Sequence, residues 1–124
     1  MSKAGLILFA HGSRDPRWAE PFEAVRAAIA ARAPALPLRL AFLELMPPDL
    51  QAAADALVVE GCTRIDVLPL FLGTGGHLRR DLPPMVDAIR TRHPQVVATL
   101  HPAAGEAPAL IAAMAELALS TTSR

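Results

Sequence analysis

Four short apolar runs alternate with segments of helical period, and this alternation constrains the fold more than any other feature of the chain. The first run, Gly5–Ala10, is apolar without interruption, which is typical of a strand buried on both faces of a parallel sheet. Similar runs follow at Leu38–Leu43, Ile65–Phe71 and Val96–Leu100. Four strand–helix units in series predict a single three-layer α/β domain. It has a four-stranded parallel sheet, in the order 2-1-3-4, with helices on both faces.

The segments between and after these runs carry the residue spacing of amphipathic helices. Pro34 and Pro37 should end the first helix, and the second is expected over about Pro48–Val59. Pro83 and Pro84 are expected in the first turn of the third helix, where a missing N–H costs least. The predicted apolar faces are Trp18, Phe22, Val25 and Ile29 in the first helix, Met85, Val86 and Ile89 in the third, and Leu110, Ile111, Met114 and Leu117 in the fourth.

Composition narrows the class of function. The 124 residues suit one domain, and 12 basic against 12 acidic side chains give no field that would recruit nucleic acid or an anionic membrane. No apolar run approaches the ~18 residues of a membrane helix, and the N-terminus lacks the pattern of a signal peptide. Cys62 is the only cysteine, so it can form neither an internal disulfide nor a thiolate zinc cluster, and it is expected to be a small buried residue. These features predict a cytoplasmic protein.

Polar side chains follow three of the predicted strands directly. In an open α/β sheet, ligands bind outside the carboxyl ends of the strands where strand order reverses, here between the first and third strands. His11 and His77 lie just beyond those two ends, and Glu44 follows the second strand. Imidazole suits Co, Ni, Fe and Zn, and two or three protein ligands leave open coordination positions. The pattern therefore favours a metal site, although a lone histidine beside glycine is more often a loop or cap residue, and a lone glutamate a solvated charge.

Glycines and arginines flank these histidines. The glycines permit tight turns or the close approach of a flat ligand, and GTGG matches neither the dinucleotide nor the P-loop fingerprint. The arginines could hold an acidic ligand or simply pair with Asp15 and Asp81. The residues predicted to contact a ligand are Gly12, Ser13, Arg14, Gly75, Gly76 and Arg79. His101 is interpreted as an edge residue and His93, at a helix C-terminus, as structural.

Four segments together resemble the class II metal chelatases, specifically the small sirohydrochlorin cobaltochelatase type. They are LFAHGSRDP, AFLELMPPDL, VLPLFLGTGGHLRRDLP and PAAGEAPAL, and the resemblance covers nearly the whole chain. It implies ATP-independent insertion of a divalent metal, Co²⁺ or alternatively Fe²⁺ or Ni²⁺, into sirohydrochlorin for cobalamin or sirohaem. The metal is then a substrate, and no prosthetic group is expected.

The resemblance also implies roles for individual residues. His11 and His77 would be metal ligands and bases, Glu44 the assisting carboxylate, and Asp81 a supporting hydrogen-bond partner. Longer relatives hold two such units in one chain. Residues 1–124 would form one half, with the second half supplied by the other subunit of a homodimer.

Three other functions remain open at this point. A non-catalytic divalent-metal carrier needs the same histidines but no macrocycle site. A histidine phosphatase is disfavoured because Ala10 stands where its motif has arginine. A purely structural dimer module would bind neither metal nor tetrapyrrole.

Overall fold

The computed structural model describes residues 2–122 and confirms the predicted architecture. A single parallel sheet has the strand order β2-β1-β3-β4. Its strands are β1 (Ala4–Ala10), β2 (Leu38–Phe42), β3 (Arg64–Pro69) and β4 (Val97–Leu100). The α-helices are α1 (Glu20–Arg32), α2 (Leu50–Val59), α3 (Gly76–Arg92) and α4 (Pro108–Ser120), with short 3-10 turns at Pro16–Ala19 and Ala104–Glu106.

Strand β1 lies at the centre of the core and is buried on both faces, as its unbroken apolar run predicts. Ile7 and Phe9 belong to the larger cluster, which α2 and α3 cover, while Leu8 belongs to the smaller cluster on the side of α1. Cys62 is 2% exposed and belongs to the larger cluster, as predicted. Because β1 pairs with β2 on one side and β3 on the other, its carboxyl end lies at the reversal of strand order.

The predicted apolar stripe of the first helix is only partly correct. Trp18 lies in the 3-10 turn before α1, and both Trp18 and Val25 are exposed. Only Phe22 and Ile29 are half-buried against the sheet. Pro21 occupies the first turn of α1, where its missing N–H is tolerated. The α-helix therefore begins after Trp18, and Trp18 is not part of its apolar face.

Two helices begin elsewhere than predicted. Helix α2 starts at Leu50 rather than Pro48, because the Asp49 side chain caps it by accepting a hydrogen bond from the N–H of Ala52 at 2.8 Å. Helix α3 starts at Gly76, which places Pro83 and Pro84 inside it rather than in its first turn. The buried residues of α3, Leu82, Val86 and Ile89, lie on both sides of the prolines. Tertiary packing on this face therefore outweighs the two lost helical hydrogen bonds.

Helix α4 forms as predicted, but its apolar face is not buried within the chain. Ile111, Met114 and Leu117 are all exposed, and Leu110 is only half-buried. In the part of the chain that the structure describes, no helix is long and apolar enough to cross a membrane.

Candidate active site

The loops that follow β1, β2 and β3 are tied together at one edge of the sheet. The N–H of Leu43 donates to the carbonyl oxygen of Ala10 at 2.8 Å, and the N–H of Leu70 donates to the carbonyl oxygen of Phe9 at 2.7 Å. These bonds extend the strand pairing by one residue on each side of β1. His11, the next residue along the chain, therefore emerges between the two neighbouring loops, at the reversal of strand order.

Gly12 brings the loop after β1 into backbone contact with Glu44. A Cβ atom at position 12 would lie 1.6 Å from the carbonyl oxygen of Glu44, so no other residue fits this approach. The chain then turns sharply, because the N–H of Met46 donates back to that same carbonyl at 2.9 Å and Leu45 has a φ of 70°. This is a γ-turn with its central residue in the left-handed region, which is strained for leucine. Glu44 is thus held next to His11 by a close contact and a strained turn.

The side chains of His11 and Glu44 meet at this point. The distance from His11 Nδ1 to Glu44 Oε1 is 3.4 Å, and each side chain is 42% exposed. A hydrogen bond of this length is weak. With the proton on Nδ1 and directed to the carboxylate, the lone pair of Nε2 stays free to bind a metal ion. The structure therefore brings His11 and Glu44 together, and their roles stay predictions.

Two aromatic residues that the sequence reasoning did not assign to the site hold His11 in place. The ring of Phe71 lies against the imidazole, with 4.5 Å between centroids and 35° between planes. The indole N–H of Trp18 donates to the carbonyl oxygen of His11 at 2.6 Å. The position of Phe71 just after β3, at the same edge as His11, was the signal that could have indicated its role.

His77 was expected on a loop, but it lies in the first turn of α3, where it is exposed. Its side chain makes no hydrogen bond within residues 2–122. No group of three or more His, Cys, Asp or Glu side chains in that range is close enough to hold a metal ion. A joint role for His77 with His11 and Glu44 stays a prediction.

The other predicted ligand contacts lie around this edge in different local settings. Gly75 is the N-cap residue of α3. Arg79 donates a hydrogen bond from Nε to the carbonyl oxygen of Thr74 at 3.3 Å. The hydroxyl of Ser13 accepts a hydrogen bond from the N–H of Asp15 at 3.1 Å. Arg14 and Asp81 are exposed, and neither side chain forms a hydrogen bond with another described residue. The supporting role expected of Asp81 stays a prediction.

Arg17, one of the arginines that follow His11, pairs with a neighbouring carboxylate, which is one of the two alternatives that the sequence left open. Its guanidinium contacts the carboxylate of Asp15 at 2.9 Å, and these hydrogen bonds hold the pKa of Asp15 below its usual value. This ion pair occupies Arg17 and leaves Arg14 as the exposed cation nearest to His11 along the chain.

The remaining two histidines are bound to carboxylates away from the His11–Glu44 pair. His93 caps the C-terminus of α3, and its Nε2 lies 2.7 Å from Asp55 on α2. His101 follows β4, and its Nε2 lies 2.9 Å from Asp66 on β3. Both positions agree with the structural and edge roles interpreted from the sequence.

Comparison with known proteins points to one family. A sequence model of the family CbiX matches residues 5–121. The chain is 30% identical over 94 residues to the sirohydrochlorin ferrochelatase of Bacillus subtilis, covering 76% of this chain and 36% of the relative. It is 34% identical over 79 residues to the sirohydrochlorin cobaltochelatase of Saccharolobus solfataricus, covering 64% and 60%. The chain thus spans less than two thirds of the length of these relatives, 36% of one and 60% of the other.

Solved structures agree with the fold. The crystal structure of a CbiX protein from Marinobacter aquaeolei VT8 aligns with a TM-score of 0.83 at 31% identity, covering 95% of this chain and 96% of that one. SirB from Bacillus subtilis with Fe³⁺ aligns with a TM-score of 0.81 at 25% identity, covering 98% of this chain but 48% of SirB. The chain is therefore similar in extent to the Marinobacter protein and to about half of SirB.

Proposed function

The chain belongs to the CbiX family, and from this premise we propose that it inserts a divalent metal ion into sirohydrochlorin. The observation that carries the proposal is the His11–Glu44 pair at the reversal of strand order. The names of the relatives support sirohydrochlorin as the substrate that receives the metal, since these relatives are named sirohydrochlorin chelatases for cobalt and for iron. We take Co²⁺ as the metal to test first, with Fe²⁺ and Ni²⁺ next, because imidazole suits all three.

Apolar side chains beside the metal-binding groups support a macrocycle as the second substrate. Leu45 and Leu72 are both exposed, and they follow Glu44 and Phe71 directly along the chain. Exposed leucines next to a histidine and a carboxylate suit the flat apolar ring of a tetrapyrrole. Arg14 is exposed nearby and would pair with acidic groups on the ring periphery.

The reaction requires the ion to lose water and the macrocycle to lose two inner N–H protons. In our proposal, Nε2 of His11 binds the ion while pyrrole nitrogens replace its waters. Once the ion has moved into the ring, the freed imidazole can accept a pyrrole proton, and the Glu44 carboxylate beside Nδ1 stabilises the resulting imidazolium. His77 would act as a second ligand and base from the start of α3.

The second half of the site would come from another copy of the chain. SirB is about twice as long as the region that this chain matches, which agrees with one unit here and two units there. We therefore propose a homodimer in which residues 1–124 of each subunit form one chelatase unit; residues 1, 123 and 124 lie outside the described part. That the reaction takes place in the cytoplasm stays a prediction.

The test is insertion of Co²⁺, Fe²⁺ or Ni²⁺ into purified sirohydrochlorin, followed by the change in absorbance against a protein-free control. His11→Ala and His77→Ala should each slow insertion by more than about 100-fold, because loss of an outer-sphere partner alone typically costs 10–100-fold. His93→Ala is the matched control, since it removes an imidazole that is bound to Asp55 away from His11. It should retain the wild-type rate.

Glu44→Gln separates the two roles of the carboxylate. Glutamine can still accept the hydrogen bond of His11 but carries no negative charge to stabilise the imidazolium, so the maximal rate should fall by about 10–100-fold with little change in metal affinity. A large loss of metal affinity instead would make Glu44 a ligand. Metal binding without tetrapyrrole binding or insertion, in folded wild-type protein, would refute the chelatase and favour the metal carrier.

A further inference from the structure

The imidazole of His11 is held by few contacts of its own. Its side chain is 42% exposed, and its one hydrogen bond within residues 2–122, from Nδ1 to Glu44, is 3.4 Å long and therefore weak. The hydrogen bond from the indole of Trp18 holds only the main chain, because it ends on the carbonyl oxygen of His11. Exposed side chains without firm contacts change rotamer within picoseconds to nanoseconds. The orientation of this ring therefore depends on its contact with Phe71.

Phe71 connects this imidazole to the core of the domain. The centroid of its ring lies 4.5 Å from the centroid of the His11 ring and 6.2 Å from the centroid of the Phe9 ring. Phe71 is 3% exposed and Phe9 is 1% exposed. Side chains this deeply buried lie in close-packed surroundings and keep well-defined rotamers. The ring of His11 therefore lies against a surface that is itself fixed.

The 3-10 turn at Ala104–Glu106 holds the main chain of Phe71 in place. The N–H of Gly105 in this turn donates to the carbonyl oxygen of Phe71 at 2.8 Å. A Cβ atom at position 105 would lie 1.7 Å from the carbonyl oxygen of Leu72 and 2.3 Å from its carbonyl carbon. Only glycine permits an approach this close to another backbone. The turn is therefore in direct contact with the loop that carries Phe71.

We propose that Phe71 is a positioning residue for metal transfer by His11, and that Gly105 acts on the imidazole through Phe71. This inference rests on the proposed function, which gives His11 a metal ion to bind. With Phe71 against the ring and Nδ1 next to Glu44, the nitrogen left for the ion is Nε2. A ring that is already oriented loses little rotamer freedom when it binds the ion, so its metal affinity is higher. It also holds the ion at one point for transfer to the macrocycle.

The first experiment observes the ring of His11 with no metal present. Proton–carbon NMR spectra at one fixed pH record the Cε1–H groups of the four histidines, and His11→Asn identifies the signal of His11. In the wild type, the ring current of Phe71 should shift this signal upfield, and nuclear Overhauser effects should join the two rings. Phe71→Leu should abolish both effects, because leucine keeps an apolar side chain but has no aromatic face. Gly105→Ala should weaken both, because its Cβ separates the turn from the loop.

The second experiment measures the affinity for Co²⁺ alone, through the fluorescence of Trp18. Trp18 is the only tryptophan and is hydrogen-bonded to His11, so a paramagnetic ion on His11 should quench it. Loss of a group that orients a metal-binding histidine typically costs about 10–100-fold in affinity, so Phe71→Leu should raise the Kd by about 10-fold or more. Gly105→Ala should raise the Kd in the same direction.

Ile65→Val is the matched control for lost packing. Ile65 is fully buried and pairs with Gly5 at the opposite end of β1 from His11. Ile65→Val should lower the melting temperature, as Phe71→Leu does, because both shorten a packed side chain. Because distant sites without shared partners act independently, it should change the Kd for Co²⁺ by less than about two-fold.

Each other outcome overturns a stated part of the proposal. A His11 signal that is the same in wild type and Phe71→Leu refutes the contact between the rings. An unchanged Kd in Phe71→Leu, or an equal loss of affinity in Ile65→Val, refutes the positioning role. Unchanged NMR effects in folded Gly105→Ala refute the part assigned to Gly105, and Phe71→Leu decides the rest even where Gly105→Ala does not fold. Wild type that shows the NMR effects but does not bind Co²⁺ refutes the proposed function and leaves the orientation of the ring by Phe71 standing.

Discussion

Replacing Gly12 by alanine tests whether the close backbone contact in the loop after β1 positions the His11–Glu44 pair. The added Cβ would lie 1.6 Å from the carbonyl oxygen of Glu44, whereas real Cβ atoms essentially never approach another atom within 3.0 Å. The two loops must therefore separate by about 1.4 Å. That movement stretches the 2.8 Å hydrogen bond between Leu43 and Ala10, and it widens the 3.4 Å contact between His11 and Glu44 beyond hydrogen-bonding distance.

The expected loss of stability is substantial. A backbone hydrogen bond contributes about 0.5–1.5 kcal/mol, and forcing an extra methyl group into a packed contact costs about 1–3 kcal/mol. We therefore expect Gly12→Ala to lower the free energy of unfolding by about 1.5–4.5 kcal/mol. With an unfolding entropy of about 2.1 cal/mol/K per residue, the melting temperature should fall by about 6–17 °C.

Gly73→Ala is the matched control for this change. It adds the same methyl group to a glycine in the loop after β3, but an added Cβ there meets no atom within 4 Å. Thermal unfolding followed by circular dichroism should therefore show less than about 2 °C of change. Insertion activity should fall with Gly12→Ala even at temperatures where that variant is folded. Equal melting temperatures for the two variants would refute the steric reasoning.

Two further predictions concern groups outside the candidate site. Burial raises the pKa of the Cys62 thiol, so the native protein should react with a thiol reagent much more slowly than the denatured protein. Rapid stoichiometric labelling of the native protein would contradict the burial of this thiol. Hydrogen bonds from Arg92 and His93 lower the pKa of Asp55 in the folded protein. The stability that Asp55 contributes is therefore present above its pKa in the unfolded chain, about 3.9, and is lost as the pH falls through its lower pKa in the folded protein. Asp55→Asn should therefore lower the free energy of unfolding by about 0.5–1 kcal/mol in urea at pH 7, which is more than Asp87→Asn should. The difference in stability between wild type and Asp55→Asn should shrink below about pH 4. A difference that stays constant across pH would contradict this account.

The fold was predictable because its strongest signals are local. The unbroken apolar run of β1 indicates burial on both faces, and the serial strand–helix units then leave few topologies. The errors arose where tertiary packing decides. Pro83 and Pro84 disfavour a helix interior, yet α3 continues through them because Leu82 and Val86 are buried on its inner face.

The sequence predicted which residues would lie at the edge of the candidate site but not how they would contact one another. The topology brings His11 and Glu44 to one edge, and the structure pairs them. The sequence cannot show that Gly12 touches the carbonyl of Glu44 or that Phe71 lies against the imidazole, because both depend on how loops from different strands meet. A glycine that permits a loop turn and one that permits a contact look alike in a sequence.

The loop after β3 joins the candidate site to the turn before α4. Phe71 contacts the imidazole of His11 with its ring and accepts the N–H of Gly105 with its carbonyl oxygen. Leu72, the next residue, has an exposed side chain and lies against Gly105 with its backbone. The turn before α4 is therefore held by Phe71, whose ring contacts His11, and by the residue after it. Because one short segment carries both sets of contacts, a displacement of this turn would also move the loop beside the imidazole of His11.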